Sequence, residues 1–524
     1  MPGEVREDAT RRSPVRAGGR GPGASAGPSA PPPPRPEPGH ALGRRAGGAI
    51  RHLGEPGAPG AGARGGGRAS GPGGRRDAPS GSLRGRPGRP RGPRGLRGLR
   101  GLRGLRGLRG LRALLVLPLL ASPLAACGSD AQAGPPTVNW YNFPDDSGAL
   151  DAAARNCTRD AEGRYRIVYH KLPRTADGQR QQLVRRLAAE DTAIDVMGLD
   201  VTWAPEFAEA GWILPWTGEL RRRAEEGTLE VPLRTGTWKN RLYAVPYNTN
   251  TQLLWYRADL VDEPPRTWAE MLTAARRLAA EGKPHYVEVQ GAQYEGLTVW
   301  FNTLVASAGG SILNAAATAP ALGPPAVRAA GIMRDLATSP AADPSLPNQM
   351  EDQNRLAMES GTAAFQLNYP FVHPSMKANN PELFRHLRWA PYPRVDASRP
   401  ARPTIGGIDL AVGAYSRHPG LAFEAALCLR NRENQIAAAL DGGLPPTLRE
   451  LYSDPEFVRD YPFADAIYQA LENASVRPQT PAYQNVSIVI AHTLSPPAAI
   501  DPRRSVETIA GQVEDALQSK GLIP

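Results

Sequence analysis

A short apolar segment at residues 113 to 127, ALLVLPLLASPLAAC, divides this chain into two parts of different character. It is about as long as the apolar part of a secretory signal peptide and shorter than the roughly 20 apolar residues that span a membrane. Its last four residues, LAAC, have the form of a bacterial lipobox, in which cleavage exposes a cysteine that receives a lipid. A short buried helix is the alternative, but GSDAQAGPP follows directly and is typical of a tether. We therefore predict lipidation of Cys127 and a tether at 127–136.

The part of the chain before this segment is basic and poor in large apolar residues. Residues 1–94 consist mainly of Gly, Pro, Arg, Ser and Ala. Such a composition cannot bury enough surface to offset the entropy lost on folding, so we predict a disordered basic leader. GLR triplets at 95–112 mimic a collagen period but contain no proline, and we assign residues 95–126 to a lipoprotein signal peptide with an Arg-rich beginning.

The positive charge of the whole chain belongs to this leader. Residues 1–126 hold 24 Arg, no Lys and 6 acidic residues, a net charge of +18, which leaves −7 for residues 127–524. The mature part shows no basic stripe with interleaved aromatic residues, so we expect no nucleic-acid partner. Its 398 residues are too many for one ordinary core, and two domains are expected.

The cysteines and the absence of catalytic motifs from the mature part limit the chemistry that the chain can perform. If Cys127 carries a lipid, Cys157 and Cys428 remain as a pair in an exported protein, where a disulfide can form. Two buried thiols are the alternative, and we favour the disulfide. Residues 127–524 contain no HExxH, GxSxG or P-loop motif and no paired Cys/His spacing, so we expect no enzyme activity, no metal and no cofactor.

After the tether, strand and helix patterns alternate, which predicts a parallel α/β sheet. We predict strands at 138–141, 165–170 and 194–198 and a helix at 179–189. Ligands of such sheets bind beyond the carboxyl ends of the strands. Asp145 and Asp146 follow the first strand, Gln179 the second and Asp200 the third, which makes them candidate binding residues. Each could instead cap a helix or lie in a solvated loop.

The segment 241–260, RLYAVPYNTNTQLLWYRADL, predicts two strands separated by a polar bend at 247–250. A Tyr-x-x-Pro followed by an aliphatic stretch ending in Tyr is similar to the first interdomain crossing of the sugar-binding proteins of bacterial ABC importers. On that resemblance Asn250 lies at a hinge and faces a cleft. Thr267 and Glu270 then form a capping box for an amphipathic helix, which begins a second α/β lobe.

Longer blocks extend this resemblance. They are IDVMGLDVTWAPEFAEAGW, TNTQLLWYRADLV, EGLTVWFNTLVASAGG, TIGGIDLAV, GGLPP and LYSDPEF. In these blocks the mature chain closely resembles the trehalose-binding lipoproteins of actinobacterial trehalose ABC importers. The resemblance implies a two-lobe periplasmic-binding-protein-like fold with a hinge and an interlobe cleft. It places 137–247 and 408–450 in lobe 1, and 251–400 and 451–524 in lobe 2.

The same resemblance implies a function and a binding site. The expected function is to capture trehalose, or a related disaccharide, outside the cytoplasm on the lipid-anchored chain and to deliver it to a permease and an ATPase. The residues implied as polar clamps on sugar hydroxyls are Asp200, Asn250, Glu351 and Arg477. Gly407 is the expected backbone contact, and Gln179 with Asp145 or Asp146 forms the first-lobe rim. Tyr369 stands where the family usually has Trp, which leaves a smaller stacking surface.

Two other functions remain open at this stage. The same scaffold carries maltose, other oligosaccharides and glycerol phosphodiesters, and fold alone cannot choose among them. A phosphorylated ligand needs more than one cation in the cleft, and the chain offers chiefly Arg477. The second function is that of a surface-anchored glycoside hydrolase, which would use two carboxylates. Asp200 and Glu351 could be misread as such a catalytic pair.

Overall fold

The computed structural model describes residues 134–520. The predicted leader, the signal peptide, Cys127 and the first part of the tether lie outside the described residues, as do residues 521–524. Within the described range, no helix combines the length and the apolar character needed to cross a bilayer.

The chain alternates strands and helices over most of its described length. The strands are β1 Thr137–Asn142, β2 Arg166–Lys171, β3 Val196–Asp200, β4 Thr237–Trp238, β5 Arg241–Leu242, β6 Ala244–Asn250, β7 Leu253–Arg257, β8 Tyr286–Glu288, β9 Ala363–Asn368, β10 Leu387–Ala390 and β11 Gly406–Val412. The helices are α1 Ala149–Asp160, α2 Ala176–Leu187, α3 Ala204–Glu209, α4 Gly218–Glu225, α5 Glu230–Thr235, α6 Trp268–Ala280, α7 Glu295–Ser307, α8 Pro324–Ala337, α9 Glu351–Glu359, α10 Val372–Asn379, α11 Pro381–Phe384, α12 Pro419–Leu429, α13 Arg432–Gly442, α14 Pro455–Asp460, α15 Ala464–Glu472, α16 Tyr483–Leu494 and α17 Pro502–Leu517.

The first lobe is built on a five-stranded sheet in the order β2-β1-β3-β11-β6. β1 is parallel to both β2 and β3, whereas β11 is antiparallel to β3 and β6. Successive side chains of a strand point to opposite faces, so Val196 packs in a core beneath α1 and α12 and Met197 in a core beneath α2 and α3. Burial on both faces explains why the central strand β3, VMGLD, is apolar up to its last residue.

The second lobe is built on a four-stranded sheet in the order β10-β7-β9-β8. Leu254 and Phe365 face a core formed with α6, α7, α8, α16 and α17, while Trp255 faces a core shared with α10, α14 and α15. The C-terminal helices therefore complete the second lobe although β11, α12 and α13 precede them in the chain. The predicted α/β class with two lobes is confirmed.

The chain crosses between the lobes at sites that differ slightly from prediction. β6 belongs to the first sheet and continues through Asn250, and β7 of the second sheet begins at Leu253. The predicted bend at 247–250 is therefore wrong: those residues are strand, and the crossing is Thr251 and Gln252. The reason is that β6 pairs with β11 as far as Asn250 opposite Gly406, so the polar residues there keep a strand partner. The return crossing covers residues 391–405.

A local capping signal is accurate for α6. The Thr267 hydroxyl accepts a hydrogen bond from the Glu270 N–H at 3.2 Å, and the carboxylate of Glu270 accepts one from the Arg266 N–H at 2.7 Å, which confirms a capped start of α6. α7 begins at Glu295 and α9 begins at Glu351, so both helices start with an acidic residue.

A disulfide joins two helices on one face of the first sheet. Cys157 in α1 and Cys428 in α12 are bonded, with an S–S distance of 2.11 Å and a Cα–Cα distance of 5.8 Å. The side-chain amide of Asn434 in α13 lies 3.4 Å from the Cys157 sulfur. The bridge therefore ties an early helix to a segment that returns to this lobe after the chain has passed through the second sheet.

Candidate functional site

The carboxyl ends of β1, β2 and β3 meet at one edge of the first sheet, because these strands are parallel. The antiparallel β11 begins at this same edge, with Ile408 opposite Asp200, and β6 ends there, with Asn250 opposite Gly406. Asp200, Asn250 and Gly407 are thereby placed along one edge. The register of the sheet brings these three predicted residues near one another although they are far apart in sequence.

Arg477 joins this edge to the second lobe. It lies in the loop between α15 and α16, and its side chain is 3% exposed. Nη2 lies 3.1 Å from Oδ1 of Asp200, and Nη1 lies 2.6 Å from Oε1 of Glu295. Asp200 is itself held by Thr202, whose N–H and hydroxyl donate to Oδ1 at 3.0 and 2.8 Å. One guanidinium therefore connects a carboxylate of each lobe across the cleft.

Glu295 is the second carboxylate on Arg477 and was not predicted as a site residue. It also accepts hydrogen bonds from the hydroxyls of Tyr483 and Ser487 in α16. Burial raises the pKa of Glu295, and the positive charge of Arg477 opposes that rise. The residue therefore holds Arg477 through a contact that lies within the second lobe.

Tyr369 and Glu351 extend the same polar cluster. Tyr369 directly follows β9, and burial raises its pKa, with a further rise caused by the nearby charge of Glu351. Arg477, Asp200 and Glu295 act on the same phenol, which places it among all of these charges. Burial also raises the pKa of Glu351. We call Asp200, Glu295, Glu351, Tyr369 and Arg477 the cleft cluster.

Two glycines at the start of β11 let its backbone pass close to this cluster. Gly407 has φ +130°, and a Cβ there would lie 2.4 Å from the carbonyl oxygen of Asn248, so any side chain would clash. A Cβ on Gly406 would lie 3.5 Å from the Cβ of Asn250 and 3.8 Å from Cε1 of Tyr369. The backbone of β11 thus runs between Asn250 and Tyr369 at the hinge.

The other predicted rim residues are engaged elsewhere. The Asp145 carboxylate accepts hydrogen bonds from the N–H groups of Ser147 and Leu150, both at 3.0 Å, and so caps the start of α1. Asp146 forms an exposed ion pair with Arg174 at 2.9 Å. Gln179 is buried, and its amide lies 3.4 Å from the Arg174 carbonyl. The contacts in the described residues do not bring these three into the cleft cluster.

A second contact joins the lobes beside Arg477. The side-chain amide of Gln484 in α16 donates to Asp177 in α2 at 2.7 Å. Since α2 belongs to the first lobe and α16 to the second, this bond closes the rim of the cleft. The aromatic residues that follow Asp200 do not take part, because Trp203 and Phe207 are buried in the core of the first lobe.

Sequence reasoning missed Glu295, Tyr483 and Ser487. One signal for Glu295 was present: residues 296–307, GLTVWFNTLVAS, carry no charge, and an acidic residue that begins so apolar a segment needs a partner when it is buried. Tyr483 and Ser487 are four positions apart on α16, so they share a face, but no pattern in the sequence indicates what that face contacts.

Two open concavities lie on the second lobe, outside the cleft. One, of about 390 Å³, is lined by several prolines with Tyr392, Arg394 and Gln469, and a neighbour of about 750 Å³ is lined by Asp262, Glu263 and residues around them. Neither contains a residue of the cleft cluster. Volume alone therefore does not locate a site here, whereas the convergence of polar groups from both lobes does.

The cleft cluster suits a ligand with many hydroxyl groups. Carboxylates only accept hydrogen bonds and a guanidinium only donates them, while a hydroxyl does both. Nε of Arg477, which is buried, has no hydrogen-bond partner among the described residues. Within the same range, no group of three or more His, Cys, Asp or Glu side chains is arranged to hold a metal ion.

Residues 172–436, about half of the chain, match the family described as bacterial extracellular solute-binding protein. A probable ABC transporter-binding protein of Deinococcus radiodurans is 26% identical over 324 residues, which is 59% of this chain and 76% of that protein.

Solved structures share the fold of this chain. Maltose-bound T. maritima MalE3 superposes with a TM-score of 0.67 at 25% identity, covering 72% of this chain and 99% of that one. The GacH receptor of Streptomyces glaucescens, solved unliganded and with acarbose, has a TM-score of 0.65 at 21% identity, covering 74% of this chain and 100% of that one. This chain is a member of the bacterial extracellular solute-binding protein family, a transport family whose members act outside the cytoplasm.

Proposed function

We propose that this protein captures trehalose, or a closely related disaccharide, between its two lobes and hands it unchanged to the permease of an ABC importer powered by an ATPase subunit. The observation that carries the proposal is the placement of Arg477 between Asp200 of the first lobe and Glu295 of the second. A ligand bound at that point contacts both lobes only when they close, and such differential contacts favour the closed state.

The charges of the cleft and the ligands of related proteins favour a neutral sugar. The cleft cluster holds more carboxylates than cations, which disfavours a phosphorylated solute and favours a neutral polyol. Relatives of this fold are described with maltose and with acarbose. The choice of trehalose rests on the sequence blocks that resemble trehalose-binding lipoproteins. Asp200, Asn250, Glu351 and Arg477 are the proposed polar ligands, Tyr369 the stacking surface and Gly407 the backbone contact.

A calorimetric titration of residues 128–524 with a panel of disaccharides and glycerol phosphodiesters tests this function. We expect trehalose to bind and to be recovered chemically intact. If maltose or a phosphodiester binds more tightly than trehalose, that compound and not trehalose is the ligand. Release of glucose from trehalose would contradict a carrier and support a glycoside hydrolase.

Replacing Asp200 by Ala should weaken trehalose binding at least about tenfold, the loss of about one charge-assisted hydrogen bond. The chain provides a matched comparison in Asp145→Ala, which removes a carboxylate from the same sheet edge. Because Asp145 caps α1, that variant should lose roughly 1 kcal/mol of stability and keep its affinity. Calorimetry and thermal unfolding of both variants measure the difference; equal affinities for Asp200→Ala and the unmodified protein would refute the assignment of Asp200.

We further propose that Cys127 anchors the mature chain to the outer face of the cell membrane by a lipid. The full-length Cys127→Ser variant, expressed in a host that processes lipoproteins, should move from the membrane fraction to the soluble extracytoplasmic fraction. Ser129→Ala serves as the control because it changes a residue just outside the lipobox and leaves all three cysteines in place. Membrane association that survives Cys127→Ser would argue against the anchor.

A further inference from the structure

Polar residues form a stripe along one face of α7, a helix that is otherwise largely apolar. Glu295, Thr298 and Asn302 are separated by three and four positions, so they share one face of the helix. Glu295 binds the guanidinium of Arg477 at 2.6 Å. The Thr298 hydroxyl donates to the carbonyl of Ser487 at 3.1 Å. The third member of the stripe, Asn302, contacts parts of the chain that lie outside the cleft cluster.

Asn302 joins two segments that are far apart in sequence. Its side-chain amide donates to the hydroxyl of Thr404 at 2.9 Å and to the hydroxyl of Ser475 at 3.3 Å. Both hydrogens of the amide are therefore used. All three residues are buried, so water does not readily replace a bond that is lost there. The amide thus holds the return crossing and the loop before α16 together.

The backbone makes the same connection. The N–H of Ile405 donates to the Ser475 carbonyl, and the N–H of Ser475 donates to the Pro403 carbonyl, both at 2.9 Å. Thr404 is also fixed to α7, because its N–H donates to the hydroxyl of Thr303 at 3.0 Å. The last residues of the return crossing are therefore bound to the second lobe, directly before β11 enters the first sheet.

These contacts hold Arg477 at two points. Ser475 precedes Arg477 by only two positions, so fixing Ser475 fixes the backbone from which the arginine side chain extends. Glu295 fixes the other end, the guanidinium. Two fixed points define both the position and the direction of a long side chain, whereas one point leaves it free to swing. α7 supplies both points, through Glu295 and Asn302.

We infer that Asn302 is a positioning residue for Arg477: it ties Ser475 to the return crossing, so that the guanidinium meets Asp200 when the lobes close on the sugar. This inference rests on the proposed function and adds to it a residue that acts through Arg477. A displacement of the guanidinium by about 1 Å would lengthen its 3.1 Å contact with Asp200 beyond hydrogen-bond range. The rigid fork of an arginine depends on such placement more than the flexible chain of a lysine does.

The test measures trehalose binding by calorimetry on the mature protein in two backgrounds. Asn302→Ala should bind trehalose about tenfold more weakly than the unmodified protein, because Arg477 loses the placement that its charge-assisted hydrogen bonds need. In the Arg477→Lys background the same substitution should cost about twofold or less, because the rigid fork is already gone. The matched control is Asn434→Ala, which removes a buried side-chain amide from α13 in the first lobe. That control should lower the melting temperature as Asn302→Ala does and keep full affinity.

A milder variant, Ser475→Ala, removes one hydroxyl and so does not depend on how Asn302→Ala folds. We expect it to lower the affinity about threefold, again only where Arg477 is present. Folded variants that bind trehalose as well as the unmodified protein would overturn the inference and leave the proposed function standing. Equal losses in the two backgrounds, or an equal loss in Asn434→Ala, would also overturn it. If the unmodified protein binds no disaccharide at all, the proposed function fails and the inference fails with it.

Discussion

Replacing Arg477 by Ala is expected to lower the affinity for trehalose by at least about 100-fold, the largest effect of any single substitution in the cleft. The change removes the only cation of the cleft cluster and leaves Asp200 and Glu295 facing each other across the closed lobes. Breaking a buried ion pair by removing one partner typically costs about 3 to 5 kcal/mol, because the remaining charge stays buried without compensation. Here part of that cost falls on the closed state alone, since Asp200 and Glu295 belong to different lobes.

The control for this prediction is Arg432→Ala. Arg432 pairs with Asp454 on the surface, and its side chain is 42% exposed, so its removal should leave affinity unchanged. Arg477→Lys should give an intermediate loss of about tenfold, because lysine keeps the charge but loses the planar fork that reaches two carboxylates at once. Calorimetry gives the affinities, and thermal unfolding without ligand shows whether each variant is folded. An Arg477→Ala protein that is folded and binds trehalose normally would exclude Arg477 from the site.

Much of the framework of the cleft follows from local patterns. Strand and helix alternation and the parallel-sheet rule place Asp200 at the carboxyl end of its strand, and the structure has it as the last residue of β3. Thr267 and Glu270 could be assigned to a helix start because a capping box is a local signal. These features depend on residues only a few positions apart, which is why the sequence alone was sufficient for them.

The cleft cluster depends on contacts that no local pattern encodes. Arg477 is a lone cation in a proline-flanked loop, and it was singled out only through the family resemblance. Its partners Asp200 and Glu295 are 277 and 182 positions away, and they meet it because the chain crosses between the lobes and returns. Asp145 illustrates a second difficulty: its position after β1 is suitable for a ligand contact, and the adjacent helix start also uses its carboxylate. A single sequence cannot decide between these two uses.

Removing the disulfide between Cys157 and Cys428 is expected to cost about 2 to 5 kcal/mol of stability. The bridge spans 271 residues of sequence, so its loss releases a very long loop in the unfolded chain. The unfolded chain then gains conformational entropy, and for so long a loop this gain is near the upper end of the range found for disulfides. The double variant Cys157→Ala, Cys428→Ala is preferred, because Cys157 is fully buried and a serine there would place a hydroxyl in an apolar core.

Affinity should respond differently from stability in this double variant. The bridge lies between helices on one face of the first sheet, whereas the cleft cluster lies at the sheet edge, so trehalose binding is expected to change by less than about twofold. Urea unfolding monitored by tryptophan fluorescence measures the stability, and the unmodified protein in reductant should show the same loss as the variant. α1 and α12 pack in one core, which includes Trp140 and Leu150. If the variant is as stable as the unmodified protein, this packing already holds the two segments together without the covalent bond.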